Sequence, residues 1–368
     1  MKKAVILILT FALLALLTVS VAAEPSLSAR AAILIEAESG RVLYEKNASS
    51  SLPMASTTKI MTALLTVESL PLDKVITVPK EAVGTEGTSL YLTEGERFTV
   101  SDLLHALLLR SANDAAVALA IGVSGSVEAF AERMNERARE LGLTGTHFEN
   151  PHGLDSPEHY TTARDLAVLA GEAMQNEIFA QIAGCRQKRL TPEKGTPRVV
   201  TNHNKLLRLY GDAVGVKTGF TQKSGRCLVG AAEMNGTLFI TVTLDAPSDW
   251  NDHIALFDLG RRLLERHTPY ESGEYVVSLP VIGGKSEYVT VTNMEALSLV
   301  EEKGARGTVT AEYNYFATAP VKRGQVLGSL TYTSPNGETT EVELCAAEDV
   351  PAKKPERGIL GKLFRKEH

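Results

Sequence analysis

The periodicity of the chain changes once, near Tyr270, and this change constrains the fold more than any other feature. Before it, helical and strand patterns alternate; after it come only short β-type runs separated by Gly, Pro and Asn, until the last residues. In the first part, residues 31–35 and 41–44 flank Glu38-Ser39-Gly40 and read as a hairpin. From Ser56 to about Ser69 the apolar residues Ile60, Met61, Leu64 and Leu65 recur at helical spacing, and Pro71 stops them. Thr99 with Asp102, and Thr162 with Asp165, have capping-box spacing and open helices through Leu109 and over 166–174. A further helix is predicted over 126–141, with Val127, Phe130, Met134, Ala138 and Leu141 on one side. Residues 228–232 and 238–244 read as strands joined by Asn235-Gly236, and a helix over 254–264 closes this part. Runs at 275–279, 288–291, 307–313, 326–332 and 341–345 then make a small β-rich domain. A chain of 368 residues has the length for two such cores.

The ends are of a different kind. Met1-Lys2-Lys3, an uncharged apolar run over 4–21 and Val21-Ala22-Ala23 describe a secretory signal peptide. An uncleaved membrane anchor is the alternative; the small-residue site and the lack of a basic stop-transfer cluster favour cleavage after Ala23. Either way the body is expected outside the cytoplasm. The expected domains are 1–23 signal peptide, 24–270 catalytic, 271–350 β-rich, and 351–368 linker and tail. In that tail Ile359, Leu360, Leu363 and Phe364 can share a helical face ringed by Lys362, Arg365 and Lys366. This suits peripheral contact with an anionic membrane, and a frayed solvated tail is the alternative. A net charge of −6, from 38 basic and 44 acidic residues, argues against a nucleic-acid partner. Cys185, Cys227 and Cys345 are too few and too far apart for a disulfide framework or CxxC metal site.

Three short polar patterns stand in order: Ser56-Thr57-Thr58-Lys59, Ser111-Ala112-Asn113 and Lys217-Thr218-Gly219. Singly each is weak, since about one SxxK is expected by composition in a chain this long. A second SxN, Ser334-Pro335-Asn336, reads as a turn. Placement lifts the triple above chance: the first opens a helix, the second lies between two helices, the third precedes a hairpin. Their chemistry is nucleophilic acyl transfer. A serine hydroxyl needs a base, and Lys59, three residues from Ser56, shares its helical face. A desolvated lysine near other cations can lose its proton and serve. The Ser56 amide at the helix start and the Phe220 amide on the following strand are the expected oxyanion donors. Ser111 and Asn113 bring a hydroxyl and an amide, and Lys217 a positive charge suited to a carboxylate. If the motifs were merely structural, the two serines would be helix caps and Lys217 a solvated edge residue.

SxxK, SxN and KTG together resemble the signature of serine penicillin-binding proteins and β-lactamases. The flanking text narrows the resemblance to the low-molecular-weight D-alanyl-D-alanine carboxypeptidases, the penicillin-binding-protein-5-like group (peptidase family S11). Pro53-Met54-Ala55 before Ser56, Asp114-Ala115 after Asn113, Phe148-Glu149-Asn150-Pro151-His152-Gly153-Leu154-Asp155, and Val214-Gly215-Val216 before Lys217 carry it. It implies an α/β (α+β) transpeptidase fold of the penicillin-binding-protein/β-lactamase kind, followed by a small all-β C-terminal domain. By the same resemblance Ser56 is the acylated nucleophile and Lys59 its base. Ser111 and Asn113 relay a proton and orient the substrate amide. Lys217 and Thr218 hold the terminal carboxylate, and Gly219 lets substrate backbone pair along the strand. The implied partners are peptidoglycan stem peptides ending in D-Ala-D-Ala and β-lactam antibiotics, with no metal or organic cofactor. Some members hold the carboxylate with an arginine beyond the KTG strands; here that stretch, 246–253, has none.

Competing readings use the same residues. A class A-like β-lactamase needs a glutamate to activate water, and Glu149 is the candidate, although its surroundings resemble the carboxypeptidase loop. A DD-endopeptidase would act on cross-linked peptides. A non-catalytic wall-binding scaffold would have no use for the polar residues of the motifs. No HExxH or GxSxG is present, and His152 and His159 read as structural.

Overall fold

A computed structural model describes residues 24–354. The signal peptide expected over 1–23 and the amphipathic tail expected at 359–366 lie outside them. The chain divides into two compact units, residues 24–234 with 238–260, and 235–237 with the residues from 261 on.

In the first unit strands β1 (Ala31–Glu36), β2 (Val42–Lys46), β7 (Ala213–Thr221), β8 (Gly225–Met234) and β9 (Thr237–Leu244) form one sheet in the order β2-β1-β9-β8-β7. The strands β3 (Val75–Thr77) with β4 (Arg97–Thr99), and β5 (Gln187–Leu190) with β6 (Arg198–Thr201), make two small ribbons. β1 is buried along its whole length, which its AAILIE sequence suits. β8 passes to β9 through Asn235-Gly236, both at positive φ (51° and 71°), the backbone a two-residue hairpin turn demands.

The helices are α1 (Lys59–Ser69), α2 (Val100–His105), α3 (Asn113–Ser124), α4 (Val127–Glu140), α5 (Ala163–Gln175), α6 (Glu177–Gly184), the single turn α7 (Leu206–Leu209) and α8 (Asp249–Leu263). Sequence capping holds atom for atom. Thr99 Oγ1 accepts from the Asp102 amide at 3.1 Å and Thr162 Oγ1 from the Asp165 amide at 3.0 Å. On α4, Phe130, Met134 and Ala138 are buried as the pattern predicts. α1 differs: Lys59 through Thr66 are all buried, because α3 and α5 pack against it and no face is left for water. The helix expected through Leu109 ends as α at His105 and continues as a wider π turn over Ala106–Arg110. Ser111, at φ 66°, then reverses the chain into α3. α8 begins at Asp249, five residues ahead of the expected start.

The second unit contains β10 (Leu264–Tyr270), β11 (Val276–Ile282), β12 (Tyr288–Asn293), β13 (Leu297–Glu302), β14 (Thr308–Tyr313), β15 (Ala317–Thr318), β16 (Val326–Thr333) and β17 (Thr339–Ala346). Six of them form a sheet in the order β14-β16-β17-β12-β11-β15, and β10 pairs with β13. Its core is Leu279, Val289, Val291, Leu297, Leu330, Tyr332 and Leu344. Tyr332 carries its hydroxyl inside, where it donates to the buried Glu301 carboxylate at 2.9 Å and accepts from the Gly307 amide at 2.6 Å. Ser334-Pro335-Asn336 is the expected turn, between β16 and β17. The division at 260/261 precedes the expected boundary at 270/271, because 264–270 is a strand of the second unit rather than the end of the first.

Candidate active site

Ser56 lies in a 3-10 turn, Ala55–Thr58, that leads directly into α1, so Lys59 is the first residue of the α-helix. The turn places Lys59 Nζ 2.9 Å from Ser56 Oγ. A second Nζ contact, to the carbonyl of His152, ties the same amine to the 150–154 loop. That loop is clamped onto α1, since Thr62 Oγ1 donates to the Pro151 carbonyl at 2.6 Å and Asn150 Oδ1 accepts from the Gly153 amide at 2.7 Å. Lys59 is fully buried, and burial, with Lys217 adding like-charge repulsion, holds its ammonium well below the usual lysine range. As a neutral amine it has a lone pair to receive the Ser56 proton and an N–H for the His152 carbonyl.

The residue ahead of the serine is strained and buttressed. Ala55 has φ 47°, a left-handed conformation uncommon for alanine. Its carbonyl accepts from Thr58 Oγ1 at 2.9 Å, and Thr58 Oγ1 is 2.7 Å from His159 Nε2. The Glu149 amide donates to His159 Nδ1 at 3.0 Å, so the imidazole proton sits on Nε2 and points at Thr58. Burial holds His159 down to about 4 and His152 down to about 3, so both rings are neutral and structural at ordinary pH. Gly153, at φ +88°, presses on the same place: a Cβ there would lie 1.9 Å from the Ala55 carbonyl oxygen. The Glu149 carboxylate accepts from the Glu158 amide at 3.1 Å and is exposed, turned to the loop rather than to Ser56.

Lys217, Thr218, Gly219 and Phe220 all lie within β7, so the third motif is itself part of a strand, and it precedes the β8–β9 hairpin as expected. Gly219 is needed where β7 crosses the Ser56 turn, because a Cβ would stand 3.0 Å from the Ser56 nitrogen and 3.2 Å from the Ala55 Cβ. The buried Lys217 donates from Nζ to the Thr218 carbonyl at 2.8 Å, and burial pushes it down to about 7. Asn113 is held by the 86–88 loop: its amide donates to the Thr88 carbonyl at 2.7 Å and its Nδ2 to the Glu86 carbonyl at 2.6 Å. Its Oδ1 is buried without a partner. Asp114 fixes the segment that follows, accepting from Ser89 Oγ at 2.6 Å and the Leu92 amide at 3.0 Å.

An open cleft joins these pieces, lined among others by Ser56, Thr88, Ser111, Thr218, Gly219 and Phe220. It thus collects residues from all three motifs. Lys59, Asn113 and Lys217 stand behind it, each 4% exposed or less. His203, Lys205, Arg226, Asp249 and Trp250 complete the wall, and sequence reasoning had singled out none of them for the site. Arg226 was findable from register. With the third motif inside a strand, β7 and β8 pair Thr221 with Gly225, so Arg226 falls opposite Phe220. Asp249 and Trp250 were missed because α8 starts earlier than its apolar pattern. The three cysteines are free thiols, and Cys227 is buried as a small apolar residue opposite Gly219.

Helices on an antiparallel-rich sheet, with a cleft serine bonded to a buried lysine beneath a KTG strand, define the class of the penicillin-binding proteins and serine β-lactamases. The comparisons with known proteins agree. Residues 18–248 match the D-alanyl-D-alanine carboxypeptidase family, peptidase S11, and residues 264–352 match the C-terminal domain of penicillin-binding protein 5. The D-alanyl-D-alanine carboxypeptidase DacF of Bacillus subtilis is 33% identical over 335 residues, 88% of this chain and 86% of that protein. The D-alanyl-D-alanine carboxypeptidase DacC of Escherichia coli is 35% identical over 359 residues, 92% of this chain and 88% of that one. The crystal structure of the peptidoglycan synthesis regulatory factor (PBP3) of Streptococcus pneumoniae superposes with a TM-score of 0.72 at 25% identity, covering 89% of this chain and 100% of that one. The chain belongs to the S11 family of D-alanyl-D-alanine carboxypeptidases.

Proposed function

We propose that this enzyme removes the terminal D-alanine from peptidoglycan stem peptides outside the cytoplasm, through an acyl-enzyme on Ser56. The observation that carries the reading is the buried Lys59 amine 2.9 Å from Ser56 Oγ, with its proton affinity lowered by burial. Neutral Lys59 takes the hydroxyl proton as Oγ attacks the carbonyl carbon of the penultimate D-alanine. The Ser56 and Phe220 amides stabilise the oxyanion, each worth roughly a hundred- to a thousandfold in rate. Ser111, at the cleft wall, relays the proton taken up by Lys59 to the nitrogen of the departing D-alanine, while Asn113 orients the substrate amide. Lys217 and Thr218 attract the terminal carboxylate, and Gly219 lets the substrate backbone lie along β7. Water then cleaves the ester and restores Ser56. β-Lactams acylate the same serine, because their ring amide presents the same electrophile beside a carboxylate. Glu149, held by the Glu158 amide, offers no base for fast release of the drug, which favours this reading over a β-lactamase.

The test pairs a fluorescent penicillin with a diacetylated peptide ending in D-Ala-D-Ala, on wild type and Ser56→Ala. Long-lived label and D-alanine release, both lost in Ser56→Ala, are expected. Rapid drug turnover without D-alanine release would instead make the protein a β-lactamase, and an unlabelled folded sample would leave a wall-binding scaffold.

A further inference from the structure

A substrate that ends in a free carboxylate needs a cation at the far end of the cleft, and the described geometry gives Lys217 a poor view of it. Lys217 is 1% exposed, its ammonium donates to the Thr218 carbonyl at 2.8 Å, and the residue does not line the cleft. Arg226 does line it. It is paired across the sheet with Phe220, so the two side chains share a face, and Thr218, two residues before Phe220, shares it too. Thr218 is therefore the diagonal neighbour of Arg226, at about 7–8 Å between backbones, a gap a long side chain spans.

The guanidinium is also held in place. Its Nη2 donates to Asp249 Oδ2 at 2.9 Å, and its centre lies 5.6 Å from the centroid of the Trp250 ring. Asp249 is itself fixed, 3% exposed, with Oδ1 accepting the Trp250 amide at 2.9 Å. The carboxylate is thus spent inside the wall, while the Arg226 side chain stays 42% exposed. One bond to Asp249 leaves most of the five N–H donors of a guanidinium, enough for a second, bidentate carboxylate. We propose that Arg226, positioned by Asp249 and Trp250, binds the terminal carboxylate of the substrate and sets the preference of this enzyme for a free carboxyl end. The proposal rests on the carboxypeptidase reading above and deepens it.

The experiment compares two peptides, diacetyl-Lys-D-Ala-D-Ala and its C-terminal carboxamide, on the full chain and three variants. In Arg226→Gln, kcat/KM for the acid should fall about ten- to a hundredfold, the range for a lost charge-assisted hydrogen bond. The amide should change less than about twofold, so the acid-to-amide ratio collapses. Arg226→Lys, which keeps the charge but not the fork, should fall between. Because both peptides are read on one preparation, a folding defect lowers them together and cannot mimic the expected result. An unchanged ratio in Arg226→Gln, or a collapse found instead in Lys205→Gln, overturns the assignment while wild-type D-alanine release stands. A wild type that releases no D-alanine sinks the carboxypeptidase reading itself, and this inference with it.

Discussion

Lys59 and Lys217 are both buried amines, and burial lowers the proton affinity of each, but the proposed mechanism asks opposite things of them. As proposed, Lys59 serves as a base only when neutral, while Lys217, behind the cleft wall, adds its positive field to the carboxylate end beside Arg226 only when charged. For the free enzyme, kcat/KM should therefore rise with pH as Lys59 loses its proton and fall again as Lys217, near 7, loses its own. Lys217→Arg keeps the charge to much higher pH, so the falling limb should move up by several pH units on the acid-terminated peptide. An alkaline limb that stays in place in Lys217→Arg would show that another group produces it. Gly153 makes a second residue-scale prediction. Its left-handed backbone and the 1.9 Å approach of a Cβ to the Ala55 carbonyl leave no room for Gly153→Ala. That variant should lose about 2–4 kcal/mol in urea unfolding and acylate more slowly, because the turn carrying Ser56 must shift.

At the scale of elements, α8 is fastened to the sheet by a histidine. His253 has Nδ1 2.6 Å from Thr241 Oγ1 and Nε2 3.0 Å from Thr243 Oγ1, both hydroxyls belonging to β9. Gly230 on β8 is open for the ring, since a Cβ would come within 2.6 Å of Nδ1. Burial pushes His253 down to about 3, and His152 and His159 are lowered by the same cause. Each folded pKa lies below the unfolded value near 6.5, so the unfolded chain binds more protons on acidification. The stability these rings contribute is full above about 6.5 and is lost as pH falls toward the folded values, at about 1.4 kcal/mol per pH unit for each ring. Denaturant midpoints measured from pH 7 to 4 should fall steeply, and His253→Asn should have the shallower slope; parallel slopes would remove His253 from the account. Local chemistry made most of these elements legible in the sequence. Capping hydroxyls, the Asn-Gly turn and the stripe on α4 act within a few residues. The π turn before Ser111, the earlier start of α8 and the burial of Lys59 arise from packing against distant segments, which no local pattern carries.

Across the whole molecule, the residues expected to do the chemistry, from Ser56 to Phe220, and the cleft wall from Thr88 to Trp250 belong to the first unit. The three motifs were readable because the proposed acyl transfer restricts the residue types at fixed spacing. The cleft wall was not, because Arg226, Asp249 and Trp250 meet through sheet register and a helix start rather than through spacing. Each unit has its own apolar core, the second built on Leu279, Val291, Leu330 and Tyr332. The first core, from Ala31 to Leu244, draws its buried members from the first unit alone. A fragment of residues 24–263, which retains all of α8, should therefore fold cooperatively and be acylated by penicillin within about threefold of the full chain. The complementary fragment from 264 on should fold as a β domain and take no label. A folded 24–263 fragment that fails to acylate would show that the chemistry needs the second unit, and a fragment that does not fold would show that the two cores are not independent.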